Sequence, residues 1–216
     1  MHKGLITARV GPSITGGSAK RRFTTQTDGN PLDLFKPAIN ACSVPAPRWV
    51  HTDSMNKVSL LVFTDGAAPN NGRADVRAGC GVVFRPDGKS SISFPLERSK
   101  DGHAPTSNRA ELRAVIAALR LRYWPGEGFD RIVIGSDSEY VVRGICEWIA
   151  KWKHRGWRTA KGTPVKNKDL WEMLLKEVET AEGNGFSVQF WHLRREWNLE
   201  ADRYAKRGAV SDPFDH

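Results

Sequence analysis

Four carboxylates along this chain stand in local settings that suit metal-assisted cleavage of a phosphodiester. Asp65 and Asp137 each follow an apolar run, whereas Glu111 and Asp202 each lie in the first part of a helical stretch. Acids in such settings can converge at one edge of a sheet, where their like charges favour the uptake of protons or divalent cations. Because two Mg²⁺ ions held by carboxylates can activate water and stabilise a reacting phosphate, the four acids predict a two-metal nuclease centre.

A basic segment rich in tryptophan lies between the third and the fourth of these acids. Residues 140–171 contain eight Lys or Arg side chains, only two acids and four tryptophans. Trp148 and Trp152 are four residues apart and would share one helix face. For Trp157 and Trp171 we prefer the simpler interpretation that they fill the core. Basic and aromatic side chains together are typical of a groove that binds a phosphate backbone, so this segment predicts a nucleic-acid surface.

The composition narrows the class of protein. The chain of 216 residues has 33 Lys and Arg against 24 Asp and Glu, a balance that favours partners carrying phosphate. Its three cysteines, Cys42, Cys80 and Cys146, are scattered, so they predict a reducing, intracellular environment and no disulfide framework. The sequence contains no run of about 18 apolar residues, and we therefore expect no membrane-spanning helix.

The N-terminal segment differs from the rest of the chain. Residues 1–56 contain Gly-Gly-Ser, Ala-Lys-Arg-Arg and Pro-Ala-Pro and lack sustained periodicity, which predicts a basic, mostly disordered extension. Because no acid precedes Asp28, the composition is also compatible with a mitochondrial presequence, although we prefer an unstructured tail and a nuclear or cytoplasmic location. Residues 57–210 then form the predicted catalytic domain, and residues 211–216 a short tail.

The elements that must position the acids can be predicted from periodicity and turn residues. Strands are predicted at residues 58–64, 78–84, 90–94, 131–136 and 186–193, and helices at 108–123, 138–152, 168–179 and 201–209. The stretch at 138–152 is predicted to form either one helix or two short ones that separate near Gly144. Thr106 or Ser107 is the expected cap of the first helix, and Asn167 the cap of the third. This order of elements predicts an α/β fold, with helices on the faces of a mixed sheet.

Residues 58–209 resemble ribonuclease H type 1, the family that cuts RNA paired with DNA. The matching stretches follow the family order at residues 64–67, 107–112, 136–141, 144–153, 156–159, 164–167 and 201–202. The resemblance implies a ribonuclease H-like fold, whose five-stranded mixed sheet begins with three antiparallel strands and carries helices on both faces. It also implies an endonuclease that hydrolyses the RNA strand of an RNA–DNA hybrid with two Mg²⁺ ions, or with Mn²⁺ in their place. We expect a monomer that binds the hybrid duplex and no membrane.

The resemblance assigns a role to each acid. Asp65 would bridge both metal ions, and Asp137 would share the nucleophile side with Asp202. Glu111 would lie beside the second ion and the 2′-hydroxyl of the RNA.

Eight further residues match positions at which the family contacts its substrate. The DNA strand is expected to contact Trp148, Trp152 and Lys153, and a phosphate to contact Thr106 and Asn167. The minor groove and the 2′-hydroxyls are expected to contact Asn71, Ser107 and Asn108. The 2′-hydroxyl is the group by which a protein distinguishes RNA from DNA.

The link before Asp202 departs from the family pattern. Relatives usually have a His-x-Gly element there, whereas residues 193–202 are shorter and contain no histidine. Arg194 or Arg195 could instead stabilise developing negative charge, and His192 is the less favoured substitute.

Three functions are therefore compared. The first is an active, Mg²⁺-dependent endonuclease on RNA–DNA hybrids. The second is a catalytically weak hybrid-binding protein, which the missing histidine favours. The third is a relative with the same fold and other chemistry, such as a strand transferase or a 3′–5′ exonuclease. The four acids speak for the first function, because binding alone needs no converging carboxylates.

Overall fold

The computed structural model describes residues 20–25, 29–39, 46–69, 76–99 and 101–211. The strands are β1 (Lys36–Ile39), β2 (Pro47–Thr52), β3 (Val58–Ala67), β4 (Gly79–Val83), β5 (Ile92–Pro95), β6 (Arg131–Ser136) and β7 (Ser187–His192). The α-helices are α1 (Pro31–Leu34), α2 (Ser107–Arg120), α3 (Glu139–Arg143), α4 (Ile149–His154), α5 (Lys168–Gly183) and α6 (Leu199–Val210). Short 3₁₀ turns cover Trp124–Glu127 and Arg195–Trp197, and a π-helical turn covers Gly144–Trp148.

All seven strands belong to one mixed sheet with β3 at its centre. On one side, β3 pairs in parallel with β6, which pairs in parallel with β7. On the other side, the first half of β3 pairs with β2 and its second half with β4, both antiparallel. β5 and β1 then add antiparallel strands to β4 and β2. The predicted antiparallel run of β3, β4 and β5 and the mixed character of the sheet are both confirmed.

The predicted five-stranded sheet is two strands too small, because β1 and β2 come from the segment that was predicted to be mostly disordered. That prediction is wrong for residues 20–25, 29–39 and 46–52, which are held by tertiary contacts rather than by local periodicity. Arg48 is buried and forms an ion pair with the buried Glu127, with 3.0 Å between Nη2 and Oε2. The expected disorder and presequence character of residues 1–19 and 26–28 fall outside the described residues, as does Cys42.

Helices cover both faces of the sheet, as expected. Along β3 and β4, successive side chains alternate between two clusters of buried residues. Leu60, Val62 and Val82 face the larger cluster, which includes the apolar stripes of α2 and α5. Leu61 and Phe63 face the smaller cluster, to which α6 and the N-terminal segment contribute. Within the described residues, no helix combines the length and apolar character needed to cross a membrane.

The ends of α2 agree with the sequence. The side chain of Thr106 accepts a hydrogen bond from the Arg109 N–H at 3.3 Å, which confirms Thr106 as the N-cap. The helix ends at Arg120, shortly before Trp124 and Pro125. This cap fixes the first turn of α2, where Glu111 follows.

The segment after Asp137 is a continuous helical stretch rather than two separated helices. Near Gly144, a π-helical turn joins α3 to α4. A Cβ atom at Gly144 would lie 2.1 Å from the ring of Trp171, so only glycine allows this close packing. Asn167 is the N-cap of α5, as predicted, with a φ of 58°. Its backbone carbonyl accepts from the N–H groups of Leu170 and Trp171, whereas its side chain makes no capping hydrogen bond within the described residues.

Candidate active site

Asp65 and Asp137 lie at the same end of two neighbouring parallel strands. The β3–β6 ladder aligns Phe63 with Gly135, and each aspartate follows two residues further on. Because the strands run in parallel, these two positions come side by side. The predicted convergence of the two strand-end acids is therefore present.

Glu111 reaches this edge because Gly66 has no side chain. A Cβ atom at Gly66 would lie only 2.0 Å from the backbone nitrogen of Glu111. The first turns of α2 therefore lie directly against β3, one residue beyond Asp65. Asp65 and Glu111 were predicted from the sequence, whereas Gly66, which brings their backbones together, was recognised only as part of a matching stretch.

Asp202 reaches the edge through a second glycine contact. Gly81 pairs with Asp65 across the β3–β4 ladder. A Cβ atom at Gly81 would lie 2.3 Å from the carbonyl oxygen of Ala201, so α6 packs directly on β4. Asp202 is the next residue of that helix, and the fourth acid thus lies on the same sheet edge.

The electrostatics of the edge are those of a crowded, buried group of acids. Burial and the charge of Asp137, with smaller contributions from Glu111 and Asp202, together raise the pKa of Asp65 to about 7. A hydrogen bond from the backbone of Gly66 partly opposes this shift. Burial also raises the pKa of Glu111. Such a group favours either bound protons or bound cations.

Three of the acids are held by neighbouring donors. The hydroxyl of Ser138 donates to Glu111 Oε2 at 2.5 Å. The side-chain amide of Asn198 donates to Asp137 Oδ1 at 2.7 Å. Within α6, the Lys206 ammonium group donates to Asp202 Oδ2 at 2.7 Å, and this pair is more exposed to solvent than the other two.

The four acids therefore share one electrostatic site without forming a tight ligand cage. Among the described residues, no three His, Cys, Asp or Glu side chains are grouped closely enough to hold a metal ion as they stand. The metal ligands that the four acids offer are all carboxylate oxygens, which Mg²⁺ prefers, so these residues fit a hard divalent cation.

Sequence analysis missed two side chains of the site. Ser138 was recognised only as part of a matching stretch, although it caps α3 and donates to Glu111. Asn198 was treated as part of the departing link, although it is buried and contacts Asp137. The one local signal for Asn198 was a polar residue at the start of a helix, which many surface asparagines share.

The predicted nucleic-acid surface is built on a cluster of aromatic rings. We call residues 144–166 the protrusion. The ring centroids of Trp148 and Trp152 are 5.7 Å apart, and Trp152 lies 5.4 Å from the buried Trp171. Trp148 and Trp152 are both half-buried, so each leaves part of its surface accessible. Trp171 belongs to the core, as expected, whereas Trp157 is only partly buried.

Lys153 has an acidic partner that the sequence did not suggest. Its ammonium group lies 3.2 Å from Glu179 on α5, and about half of each side chain is exposed. Exposed pairs of this kind are weak, so Lys153 can still meet a phosphate.

The two expected phosphate contacts are joined by one arginine. The backbone N–H of Arg109 donates to Thr106, and its guanidinium donates to the side-chain oxygen of Asn167 at 3.4 Å. Ser107 is half-buried and Asn108 is exposed on the first turn of α2. Asn71, the third residue expected in the minor groove, lies outside the described residues.

The two candidates for the missing histidine lie in different surroundings. Arg195 is largely exposed, and its Nη2 lies 3.9 Å from Asp202 Oδ1. Arg194 instead stacks over the ring of Trp197, with 5.1 Å from its guanidinium carbon to the ring centroid. His192 is exposed at the end of β7, beside Ser136. Arg195 is therefore the candidate nearer to the acids.

A mixed sheet that gathers acids from two parallel strands and two flanking helices defines the class of nucleases with a ribonuclease H-like fold. The family model for RNase H matches residues 56–210. The chain is 39% identical over 155 residues to a protein named Ribonuclease H from Chromobacterium violaceum, covering 69% of this chain and 94% of that protein. This chain therefore belongs to the ribonuclease H family, whose members generally require a divalent metal ion.

Solved structures agree with this fold. The crystal structure of LC9-RNase H1, described as a type 1 RNase H with the type 2 active-site motif, is 29% identical with a TM-score of 0.52, covering 70% of this chain and 72% of that chain. A foamy viral protease-reverse transcriptase in complex with an RNA/DNA hybrid matches with a TM-score of 0.54 at 21% identity. That match covers 69% of this chain and 20% of the viral chain, and it supports the fold alone.

Proposed function

We propose that this protein hydrolyses the RNA strand of RNA–DNA hybrids with two Mg²⁺ ions held by Asp65, Glu111, Asp137 and Asp202. The observation that carries the proposal is the buried Asp65, whose pKa is raised by burial and by the other three acids. An arrangement that accumulates buried negative charge costs stability, and binding of divalent cations relieves it. Family membership supports the same activity.

Each acid has its own task in this proposal. Asp65, flanked by the other three acids, would help to hold both ions, and Asp137 and Asp202 would hold the ion that serves the nucleophile. Glu111, oriented by Ser138, would hold the second ion close to the RNA 2′-hydroxyl. When bound, the ions supply an activated water and neutralise the charge that develops on the phosphate.

The contacts that hold the substrate would lie outside the acidic edge, on the protrusion and at the start of α2. Trp148 and Trp152 offer partly exposed rings to the sugars of the DNA strand, and Lys153 offers a charge to its phosphates. Thr106 and Asn167, joined by Arg109, are the proposed phosphate contacts.

Discrimination between RNA and DNA would come from the first turn of α2. Ser107 and Asn108 stand there beside the proposed phosphate contacts, and Asn71 is the third proposed minor-groove residue. Their polar groups can hydrogen-bond a 2′-hydroxyl, which DNA lacks.

Cleavage of defined duplexes tests the proposal. The full chain is incubated with an end-labelled RNA–DNA hybrid, double-stranded RNA, double-stranded DNA and single-stranded RNA, each with Mg²⁺, with Mn²⁺ or with EDTA. We expect the RNA strand of the hybrid alone to be cut, and only in the presence of a divalent ion.

Two results would reject the proposal in different ways. Tight binding of the hybrid without cleavage would identify a hybrid-binding protein, the function that the missing histidine favours. Cleavage of every duplex would remove the proposed selectivity. Asp137→Asn is the matched control for a contaminating nuclease, because it changes a single proposed metal ligand.

A further inference from the structure

The two catalytic strands separate just before their acids, and one side chain bridges the gap. The β3–β6 ladder ends at the pair Phe63 and Gly135. Beyond that pair, the amide nitrogen of Asn198 donates to the carbonyl oxygen of Thr64 at 3.0 Å and to Asp137 Oδ1 at 2.7 Å. Asn198 thus connects the residue before Asp65 to the carboxylate of Asp137.

The chemistry of the two partners fixes the orientation of this amide. A backbone carbonyl and a carboxylate both accept hydrogen bonds, so the NH₂ group of Asn198 must face them. The side chain is buried, at 1% exposure. Its Oδ1 atom has no hydrogen-bond partner among the described residues. A leucine of similar shape would avoid that buried, unsatisfied oxygen, so what asparagine adds at this position is its pair of donors.

The backbone of Asn198 ties the same residue to the fourth acid. Its carbonyl oxygen accepts a hydrogen bond from the Asp202 N–H at 3.0 Å, the bond that begins α6. Its own N–H donates to the carbonyl of Arg195 at 3.0 Å, which closes the preceding 3₁₀ turn. One residue therefore contacts the strand of Asp65, the side chain of Asp137 and the backbone of Asp202.

We propose that Asn198 is a positioning residue that sets the place of the Asp137 carboxylate relative to Asp65 and Asp202 and so prepares the site for divalent cations. The proposal rests on the proposed function, because it concerns the same carboxylates. Asn198 acts through Asp137 and has no assigned contact with the substrate. Its loss should therefore change metal affinity and turnover while leaving hybrid binding in place.

Titration calorimetry of Mn²⁺ binding to the full chain, without nucleic acid, measures the metal affinity directly. Asn198→Leu keeps the approximate shape and removes both donors, and it should weaken Mn²⁺ binding about tenfold, the usual size of an effect through a metal ligand. Asn198→Ser keeps one donor and should lie between leucine and the native residue. If the leucine variant no longer melts cooperatively, the serine variant is the one used for the comparison.

A double-mutant cycle separates positioning from general stability. If Asn198 acts through Asp137, Asn198→Leu should change Mn²⁺ affinity by less than about twofold when Asp137→Asn is already present. Trp124→Phe is the control, since it removes another buried hydrogen bond, from the indole to Ala118 O at 2.9 Å, at the C-terminal end of α2 and away from Glu111. It should lower the melting temperature and leave Mn²⁺ affinity unchanged.

Kinetics complete the test. At saturating Mg²⁺, kcat of Asn198→Leu should fall about tenfold, while KM for the hybrid stays within about twofold of the native value. Native affinity for Mn²⁺ and native kcat in Asn198→Leu would overturn the positioning role and leave the proposed function standing. A wild-type protein that binds no Mn²⁺ and cuts no hybrid would instead reject the proposed function itself.

Discussion

The acidic edge of the sheet and the protrusion use charge in opposite ways. At the edge, like charges are gathered in a buried place, where Asp65 is 7% exposed and its pKa is raised to about 7. On the protrusion, positive charges are spread over an exposed surface around half-buried rings, and Lys153 is half exposed. The edge stores unfavourable electrostatic energy that a cation can relieve, whereas the protrusion keeps its charges solvated and available to phosphate.

This contrast implies that chemistry and binding can be disrupted separately. Changes at the edge should act mainly on kcat and metal affinity, because the proposed ligands lie there. Changes on the protrusion should act mainly on the dissociation constant of the hybrid and on its salt dependence.

Loss of one strand-end acid should have the largest effect. Asp65→Asn and Asp137→Asn each keep the shape of the side chain and remove its charge, so each should lower kcat by about a thousandfold or more. Hybrid binding should persist, because the protrusion is untouched. The rate is measured in single turnover at saturating Mg²⁺, with circular dichroism as the check on folding. Near-native rates in either variant would refute the assignment of the four acids.

The raised pKa of Asp65 predicts how metal affinity depends on pH. Below about 7 a proton occupies Asp65 and competes with the cation, so apparent Mn²⁺ affinity should fall by up to about tenfold per pH unit on acidification. Titration calorimetry between pH 6 and pH 8 measures this trend. An affinity that does not change over that range would contradict the proposed role of Asp65.

The same shift predicts a stability effect in EDTA. An acid whose pKa rises from 3.8 to about 7 on folding binds its proton more tightly in the folded state. The free energy of unfolding should therefore fall as pH rises from about 4 to about 7, and then level off. Asp65→Asn should remove this loss and stabilise the metal-free protein at pH 8 by on the order of 4 kcal/mol. Urea unfolding of both proteins at pH 5 and pH 8 provides the comparison.

Substitutions in the link before α6 should have a smaller effect on kcat. Arg195 lies near Asp202, and its permanent charge can neutralise a departing phosphate but cannot act as a general base at ordinary pH. Arg195→Ala should therefore lower kcat about tenfold with little change in KM. Arg194→Ala is the matched control, because that side chain stacks on Trp197 instead. A large loss of kcat in His192→Ala, with both arginine variants unaffected, would assign the role to the histidine.

Changes on the protrusion should have the smallest effects, and only on binding. Trp148→Ala should weaken hybrid binding by roughly 1 kcal/mol with little change in salt dependence, since the ring contributes apolar contact. Lys153→Ala should lower the salt slope by about one counterion. Glu179→Gln frees Lys153 from its acidic partner and should strengthen binding slightly. Fluorescence anisotropy across a salt series distinguishes these outcomes, and equal affinities in all variants would show that the protrusion does not hold the hybrid.

The sequence was sufficient where the signal was local. The apolar runs before Asp65 and Asp137 predicted two buried strands, and the stripe of Leu112, Val115 and Ile116 predicted α2. Fully buried parallel strands are continuous apolar runs, so the central sheet could be recognised. Alignment of these elements with the family order then predicted that the acids would meet at one edge.

The sequence was insufficient where contacts are distant in the chain. β1 and β2 have no periodic pattern and exist because Arg48 pairs with Glu127 and Trp49 packs on Phe63. Asn198 is tied to Thr64, 134 positions away, and no local rule connects the two. The asparagine contact and the close packing at Gly66 depend on tertiary geometry, so single-sequence reasoning could not place them.

Parallel measurement of kcat and hybrid dissociation constant for Asp137→Asn and Trp148→Ala tests the central claim most directly. The separation of chemistry from binding predicts that Asp137→Asn loses kcat by about a thousandfold and keeps its dissociation constant within about twofold. Trp148→Ala should show the reverse, with weaker binding and a native kcat at saturating hybrid. A large loss of kcat in Trp148→Ala at saturation, or near-native cleavage by Asp137→Asn, would contradict the claim.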